Sequence, residues 1–441
     1  MGEPMSLATL SLATLSQAEL AVLVPEYLLC GHLIDRAGMP HLISEFGRDG
    51  MRDVAIDEWM GASPVYTGRM QRALRFEGDS VETIFKGIQL DIGAPPQFMD
   101  FRYRLDDHDH GEFWLDHCGA LMDVEPMGDD YVVAMCHDIE DPTFDATAIA
   151  TNPRAQVRPV HRPPRSPTDQ HPHCRWTVII DEAYPPLPVP EAARSIGATR
   201  AAGVALADPD PGDPGRGDYS GPMLADIRFD EWSRSALVRI AEEVCLQGHL
   251  LVLSFLAAVR ARASSEERAI ELGRHQFTGI AGLAAERIRR RLDLGTDLDG
   301  VAAMLALHPA LLPHAYVGAE IERSAGQGDA GTLTLTLDRC SDAMADGAWP
   351  ALLSPDDVAP LDAAVRAMDN RYRCEVVSAT DAELVMEVLL GDEPEKESDD
   401  VALARFSTGA AFEFSDRGTP VELRPTWEGG SVRGGAGRSR G

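Results

Sequence analysis

The stretch "HGEFWLDHCGALMD" (His110–Asp123) is echoed far downstream by "AGTLTLTLDRCSDAMAD" (Ala330–Asp346). Both run glycine, strand-like residues, Leu-Asp, a basic residue, then cysteine. Only the first carries a His-Cys pair, His117-Cys118; the second has Arg339-Cys340. Two further landmarks recur in the same order. "EYLLCGHLI" from Glu26 and "EVCLQGHLL" from Glu243 each place Gly-His-Leu five residues after the glutamate, and "EFGRDG" from Glu45 is echoed by "ELGRHQ" from Glu271. The three separations are 217, 226 and 222 residues. Near-constant offsets point to internal duplication.

Working outward, each half reads as helices, then strand, turn, strand and cysteine, then a helix and more strands. Ser16 with Glu19 forms a capping box at the head of an apolar helical run, which Pro25 is expected to kink. Asp79 is expected to cap "DSVETIFKGIQLDI". "FMDFRYRL" and "EFWLDH" alternate as strands about the turn "DDHDHG", while "YVVAMCHDI" reads equally as helix or buried strand. "QVRPVHR" and "CRWTVII" complete the first set. The second half offers two long helices, then the strands "AYVGAEIER", "GTLTLTLDR", "RYRCEVVS" and "AELVMEVLL". "ARFSTGAAFEFS" reads as one more strand. The expected fold is α+β: two copies of a helical plus antiparallel-sheet module, residues 15–182 and 227–392, forming an internal pseudo-dimer. Between them, 183–226 is a Pro/Gly/Asp-rich linker or surface loop, and 393–441 holds an acidic run and a tail.

A chain of 441 residues with 44% hydrophobic and 25% charged residues has room for two or three domains, and this is a globular composition. A net charge of −31 disfavours binding to phosphate backbones, so no nucleic-acid partner is expected. No window approaches 18 uncharged apolar residues, so no membrane span is expected. Glu3 and the lack of a basic leader argue against a secretory signal. Seven cysteines fit a reducing, cytoplasmic setting better than a disulfide scaffold.

Chemistry is expected in the first copy, with the second as support. Three Cys–His pairs occur there: His117-Cys118, Cys136-His137 and His173-Cys174. Thiolates and imidazoles are the usual ligands of zinc or iron, and three with an open position would activate water. The spacings of 18 and 38 residues are not those of a compact zinc motif. Adjacent strand residues point to opposite faces, so each pair offers one side chain to a site. Asp138 or His173 would carry the proton. Without metal, Cys118 is the candidate nucleophile, and the remaining reading is that the cysteines are buried small hydrophobes. Tyr103, Trp114 and Trp176 would line the substrate pocket. A second metal arrangement is offered by Glu242, His249, Glu271, His275 and Glu286, spaced to share helix faces. The Gly31-His32 and Gly248-His249 steps are expected at contacts between helices of the two copies.

The order "GEFWLDHCGAL", "YVVAMCHDI", "TNP", "VRPVHR", "HCRWTVI" resembles the L-2-amino-thiazoline-4-carboxylate hydrolase-like family over residues 110–181, and faintly over 40–60. The matching residues are Cys118, Cys136, Asp138, Asn152, Pro153, Cys174 and Trp176. Where that family often has proline after the first cysteine, this chain has Gly119. The resemblance implies a small-molecule-binding α+β domain with ring-opening or C–S/C–N hydrolysis. The function expected is therefore a hydrolase acting on a small organic molecule. The alternatives are a non-catalytic sensor or carrier and an assembly protein. An enclosed polar pocket touching the cysteines would favour the enzyme.

Overall fold

The computed structural model describes residues 11–324 and 331–415. It opens with α1 (Gln17–Ala73), started by the Ser16–Glu19 capping box: the Ser16 amide donates to Glu19 Oε2 at 2.7 Å and the Glu19 amide to Ser16 Oγ at 3.2 Å. α1 is two arms broken at Gly47, whose φ of 71° suits a residue without Cβ. α2 (Val81–Ile88) is capped by Ser80 rather than Asp79. Strands β1 (Met99–Leu105) and β2 (His110–Cys118) follow, then α3 (Gly119–Val124) and α4 (Asp129–Val133). A π-helical turn, Ala134–Ile139, leads into α5 (Glu140–Ala148), so "YVVAMCHDI" is helical. β3 (Ala155–His161) and β4 (Cys174–Ile180) close the sheet in the order β1-β2-β4-β3.

The segment expected to link the halves contains α6 (Glu191–Gly197) and α7 (Arg200–Gly203). The second half brings α8 (Arg234–Arg260), α9 (Glu266–Leu292), α10 (Leu298–Ala306) and α11 (His314–Val317). It continues with β5 (Ala319–Ser324), β6 (Thr332–Asp338), α12 (Asp342–Asp346), α13 (Ala359–Arg366), β7 (Tyr372–Ala379) and β8 (Glu383–Leu390). Its sheet runs β5-β6-β8-β7, the order of the first. "ARFSTGAAFEFS" is not a strand. It holds the end of α14 (Asp399–Ala404) and a 3-10 turn at Thr408–Ala411, because Ser398 and Ser407 cap helical turns there. The fold class is thus α+β, with two four-stranded antiparallel sheets around a helical centre in which α1 packs along α8 and α9. α8 is long and apolar enough to cross a membrane by composition, but 89% of its most apolar window is buried within the protein.

The halves agree below the level of topology. Leu115 pairs with Phe101 and Cys174, as Leu337 pairs with Ala319 and Leu384; Cys118 and Cys340 each lie three residues beyond. The bulge at Pro159/His161 in β3 has its counterpart at Val376/Ser378 in β7. Asp145 accepts the Val157 amide at 2.9 Å, and Asp362 accepts the Cys374 amide at 2.7 Å.

Contacts between the halves are reciprocal. Arg287 donates to Glu26 at 2.7 Å and Arg69 to Glu243 at 2.9 Å; the glutamates are 217 residues apart and the arginines 218. Arg69 also donates to the carbonyls of Ala202 and Val204, and Arg287 to those of Gly409, Ala410 and Phe412. Asp123 accepts the Thr408 amide at 2.7 Å, and Asp346 accepts the amides of Arg200 and Ala201 at 3.1 and 2.9 Å. Each half's trailing segment is therefore held by an aspartate of the other half. The glycines follow suit: a Cβ at Gly61 would collide with Ser254, and one at Gly279 would press on Ala37 at 3.2 Å.

Two expectations change. Helix equivalence near 218 residues puts Gly47, the break in α1, opposite the α8–α9 loop, whereas Gly273 lies inside α9, so the "EFGR"/"ELGR" landmark is out of register. Gly248 does meet the other half, with a Cβ there 3.2 Å from Ile34, but Gly31 packs against Ile92 of its own half.

Candidate functional site

The first half holds two adjoining, partly open chambers of about 80 and 50 Å³ between α1, the face of the first sheet and α5. They share Gly93, Met99, Phe101, Glu140 and Phe144. The first arm of α1 supplies His32, Asp35 and Arg36, and the second arm Trp59 and Tyr66. Asp91, just after α2, completes the polar wall of the larger chamber. The smaller chamber is walled by Cys118, Cys136, Cys174, His173, Arg162 and Trp176 among others. The π-helical turn decides which side chains face inward. Its wider register leaves Cys136 and Ile139 buried, with Glu140 at the chamber junction, while Asp138 is turned outward.

Arg36 is fully buried and paired with Asp35 at 3.0 Å, with Asp123 at 3.6 Å on its other side. Trp59 Nε1 donates to Asp35 at 3.4 Å; Asp91 accepts the Tyr66 hydroxyl at 2.8 Å and the Gly93 amide at 2.7 Å. Burial pushes the Asp91 carboxyl up to about 6 despite those two donors. Glu140 has no hydrogen-bond partner among the described residues. Burial raises it to about 7, with the charge of Arg36 opposing the rise and that of Asp141 adding to it. Behind this wall Glu58 is fully buried with both oxygens unpartnered, and desolvation followed by the Asp35 charge drives its carboxyl well above the usual range.

The structure gathers Cys118, Cys136 and Cys174 around one chamber, with His173 and Trp176 beside them. It does not form the expected zinc or iron centre from them. The three sulfurs lack the mutual 4.8 Å convergence that, among the described residues, only His41, His275 and Asp400 reach. Burial pushes the Cys118 thiol up to about 12 and those of Cys136 and Cys174 well above the usual range, so without a metal these thiols stay protonated. Cys118 Sγ instead accepts the Leu121 amide at 3.4 Å, capping α3. The same burial argues against Cys118 as a nucleophile. His117 packs its ring on Phe412, and His137 Nε2 meets the Pro163 carbonyl at 2.7 Å. Asp138 lies at the surface 3.5 Å from Arg52, away from the chambers, so it is not the proton carrier. His173 does line the smaller chamber, but burial, then the charges of Arg165 and His171, lower it to about 4.

Of the expected aromatic residues, only Trp176 reaches the chambers. Tyr103 packs beneath α2 against Phe85 at 5.0 Å, and Trp114 lies on the other sheet face under Arg175. The second metal arrangement is dispersed. His249 is buried against the Leu312 carbonyl at 2.9 Å, Glu271 pairs with Arg268, Glu286 with Arg405, and Glu242 lies near Arg239. His275 instead stacks on His41 at 4.6 Å, with both rings against Asp400.

The second half carries mostly apolar side chains around Trp349. At the positions of Asp35, Arg36, Glu58, Trp59 and Tyr66 it has Val252, Leu253, Gln276, Phe277 and Ala284. Trp349 occupies the interior, stacked on Phe277 at 5.4 Å and edge-on to His249 at 5.2 Å. The sequence reading missed Asp35, Arg36, Glu58, Asp91 and Glu140. The available signal was an Asp-Arg pair inside the apolar run "LLCGHLIDRAGM", since a charged pair on a buried helix must face a partner or a cavity.

Comparison with protein-family models, with curated proteins and with solved structures returned no match to this chain.

One expected result concerns the thiols. Six cysteines are buried and only Cys340 is exposed. Native protein treated with iodoacetamide at pH 8 should be alkylated at Cys340 alone, with all seven modified after unfolding. Prompt native modification of Cys118 by peptide mass mapping would restore it as a reactive thiol.

Proposed function

We propose that the chain is an internal pseudo-dimer in which the first half is an enzyme, hydrolysing a small organic molecule held in the two chambers, while the second half serves as its scaffold. The reading of the halves is supported by the matched sheet orders and bulges and by the reciprocal Glu26–Arg287 and Glu243–Arg69 pairs, the pattern of a self-complementary two-fold interface.

The enzymatic reading is carried by one observation: Glu140 stands at the junction of a carboxyl-bearing chamber and a thiol-lined one, with no side-chain hydrogen bond and poised near neutrality. A carboxyl there exists in both protonation states at pH 7, which suits a group that takes a proton from water and returns it to a leaving group. Arg36, paired with Asp35 and 3.6 Å from Asp123, fixes the charged wall against which the polar end of the substrate lies. The buried thiols and Trp176 form the soft apolar wall against its remainder.

The test is hydrolysis of a mixed set of small esters, amides and cyclic imines, followed by mass spectrometry for water addition. Glu140→Gln should lower the rate at least 100-fold while circular dichroism stays native. An undiminished rate in that variant removes Glu140 from the chemistry and with it this reading. Tight binding of a small molecule with no turnover in the native protein would make it a carrier.

A further inference from the structure

Carboxyls outnumber cations on the larger chamber's wall: Asp35, Asp91 and Glu140 stand against Arg36. Every hydroxyl and indole donor on the larger chamber's wall is already committed within the protein: Trp59 to Asp35, Tyr66 to Asp91, Thr143 to the Ile139 carbonyl and Thr147 to the Thr143 carbonyl. The one cation on that wall, Arg36, is hydrogen-bonded to Asp35 and has Asp123 at 3.6 Å; its Nε makes no hydrogen bond and its Nη2 meets the Met135 sulfur at 4.0 Å. In the smaller chamber Arg162 is taken by Asp141.

Unpartnered groups of both kinds remain: the donors Arg36 Nε and Trp176 Nε1, and the acceptors of Glu58, which lies behind the wall with neither oxygen bonded. The Glu140 carboxyl, half-buried at the chamber junction, makes no side-chain hydrogen bond among the described residues. His32 lines the chamber at 3% exposure with both ring nitrogens unpartnered. Burial keeps this imidazole neutral, so it retains one accepting nitrogen. Three carboxyls, Glu58, Asp91 and Glu140, thus have no cationic side chain paired to them in the ion pairs of the described residues. Carboxyls gathered without a paired cation favour a positively charged partner.

We propose that the chambers bind a small organic cation, an ammonium or amidinium group whose N–H donors are taken by Glu140, Asp91 and His32. This assignment rests on reading the chambers as a small-molecule site and names the class of its ligand. A metal cation fits less well for two reasons. The acceptors around the chamber do not converge as the His41–His275–Asp400 group does. The walls between them are Trp59, Phe101 and Phe144, aromatic faces that attract organic cations and contribute no ligand atoms.

The test uses the full chain at pH 7.5 and fixed ionic strength, with two isosteric series: benzylamine, benzyl alcohol and benzoate, and isobutylamine, isobutanol and isobutyrate. At least one amine should raise the melting temperature in a saturable way and bind by calorimetry at least tenfold more tightly than its alcohol and carboxylate. Glu140→Gln and Asp91→Asn should each weaken that binding tenfold or more; both are neutral isosteres, and unliganded melting curves verify that each is folded. Equal binding across charge overturns the assignment, as does the absence of binding by both amines or wild-type affinity in both variants. The enzymatic reading fails by a different measurement, an undiminished turnover in Glu140→Gln.

Discussion

Replacing Arg287 with methionine should destabilise the protein by about 3–5 kcal/mol, the cost of stranding a buried carboxylate after removing its partner. The side chains of Arg287 and Glu26 are only 2% and 3% exposed, so water cannot take over the lost contacts. The guanidinium also satisfies the carbonyls of Gly409, Ala410 and Phe412, and these would be left bare beside the orphaned Glu26. Arg69→Met breaks the counterpart pair, but its effect should be smaller. Glu243 keeps Arg239 at 3.1 Å, whereas Glu26 keeps only Arg291 at 4.0 Å. Urea denaturation monitored by circular dichroism gives both values. The double variant Glu26→Gln/Arg287→Met should recover part of the loss, because it removes the stranded charge as well. A loss below about 1 kcal/mol in Arg287→Met would show that the pair is not what fastens the halves, since that is the range of a solvated surface pair.

These ion pairs explain why the two antiparallel sheets could be read from the chain while the contacts that fasten the helices between them could not. Strand alternation is local: "EFWLDH" and "TLTLTLD" each declare one buried face with period two, and the cysteine three residues past a paired leucine fixes the register. Glu26 and Arg287 are each unremarkable in a helical sequence, and only the packing of α1 along α9 joins them. Proline and aspartate density in 183–226 reads as linker chemistry. α6 and α7 form there because Thr199 caps a turn that Asp346 of the other half completes, a contact with no local signature. The final "strand" failed for the same reason: Ser407 and Asp123 impose a helical turn on residues whose alternation suggested β.

The site shows a related limit. Cysteines attracted attention as reactive side chains, and they do surround a chamber, but their chemistry depends on dielectric rather than residue type. In an apolar wall the thiol is the stable form. The groups poised to exchange protons are carboxyls spread over α1, the segment after α2 and the start of α5. Their separation along the chain, from Glu58 to Glu140, hides them from any motif.

Those carboxyls should make the protein lose stability as pH rises through the weakly acidic range, against the usual direction for surface acids. Glu140 goes from an ordinary value near 4.5 to about 7 on folding, and Asp91 from 3.8 to about 6. A raised folded value means the native state holds a proton that the unfolded chain releases, so stability is greatest below the unfolded value and falls until pH exceeds the folded one. For Glu140 the window runs from about pH 4.5 to 7, and the change across it is up to about 3 kcal/mol at 1.36 kcal/mol per unit. Glu140→Gln carries no titrating proton and should be flat where wild type declines. The difference in unfolding free energy between the two, measured by urea titration at half-unit steps from pH 5 to 8.5, cancels the contributions of every other group. It should move in favour of the variant as pH rises, then level off above about pH 8. Parallel curves would place Glu140 in contact with water or a cation in the native state. A steeper fall in the variant would mean that the charged form is the one the fold prefers, and would remove the proton-exchange role at the chamber junction.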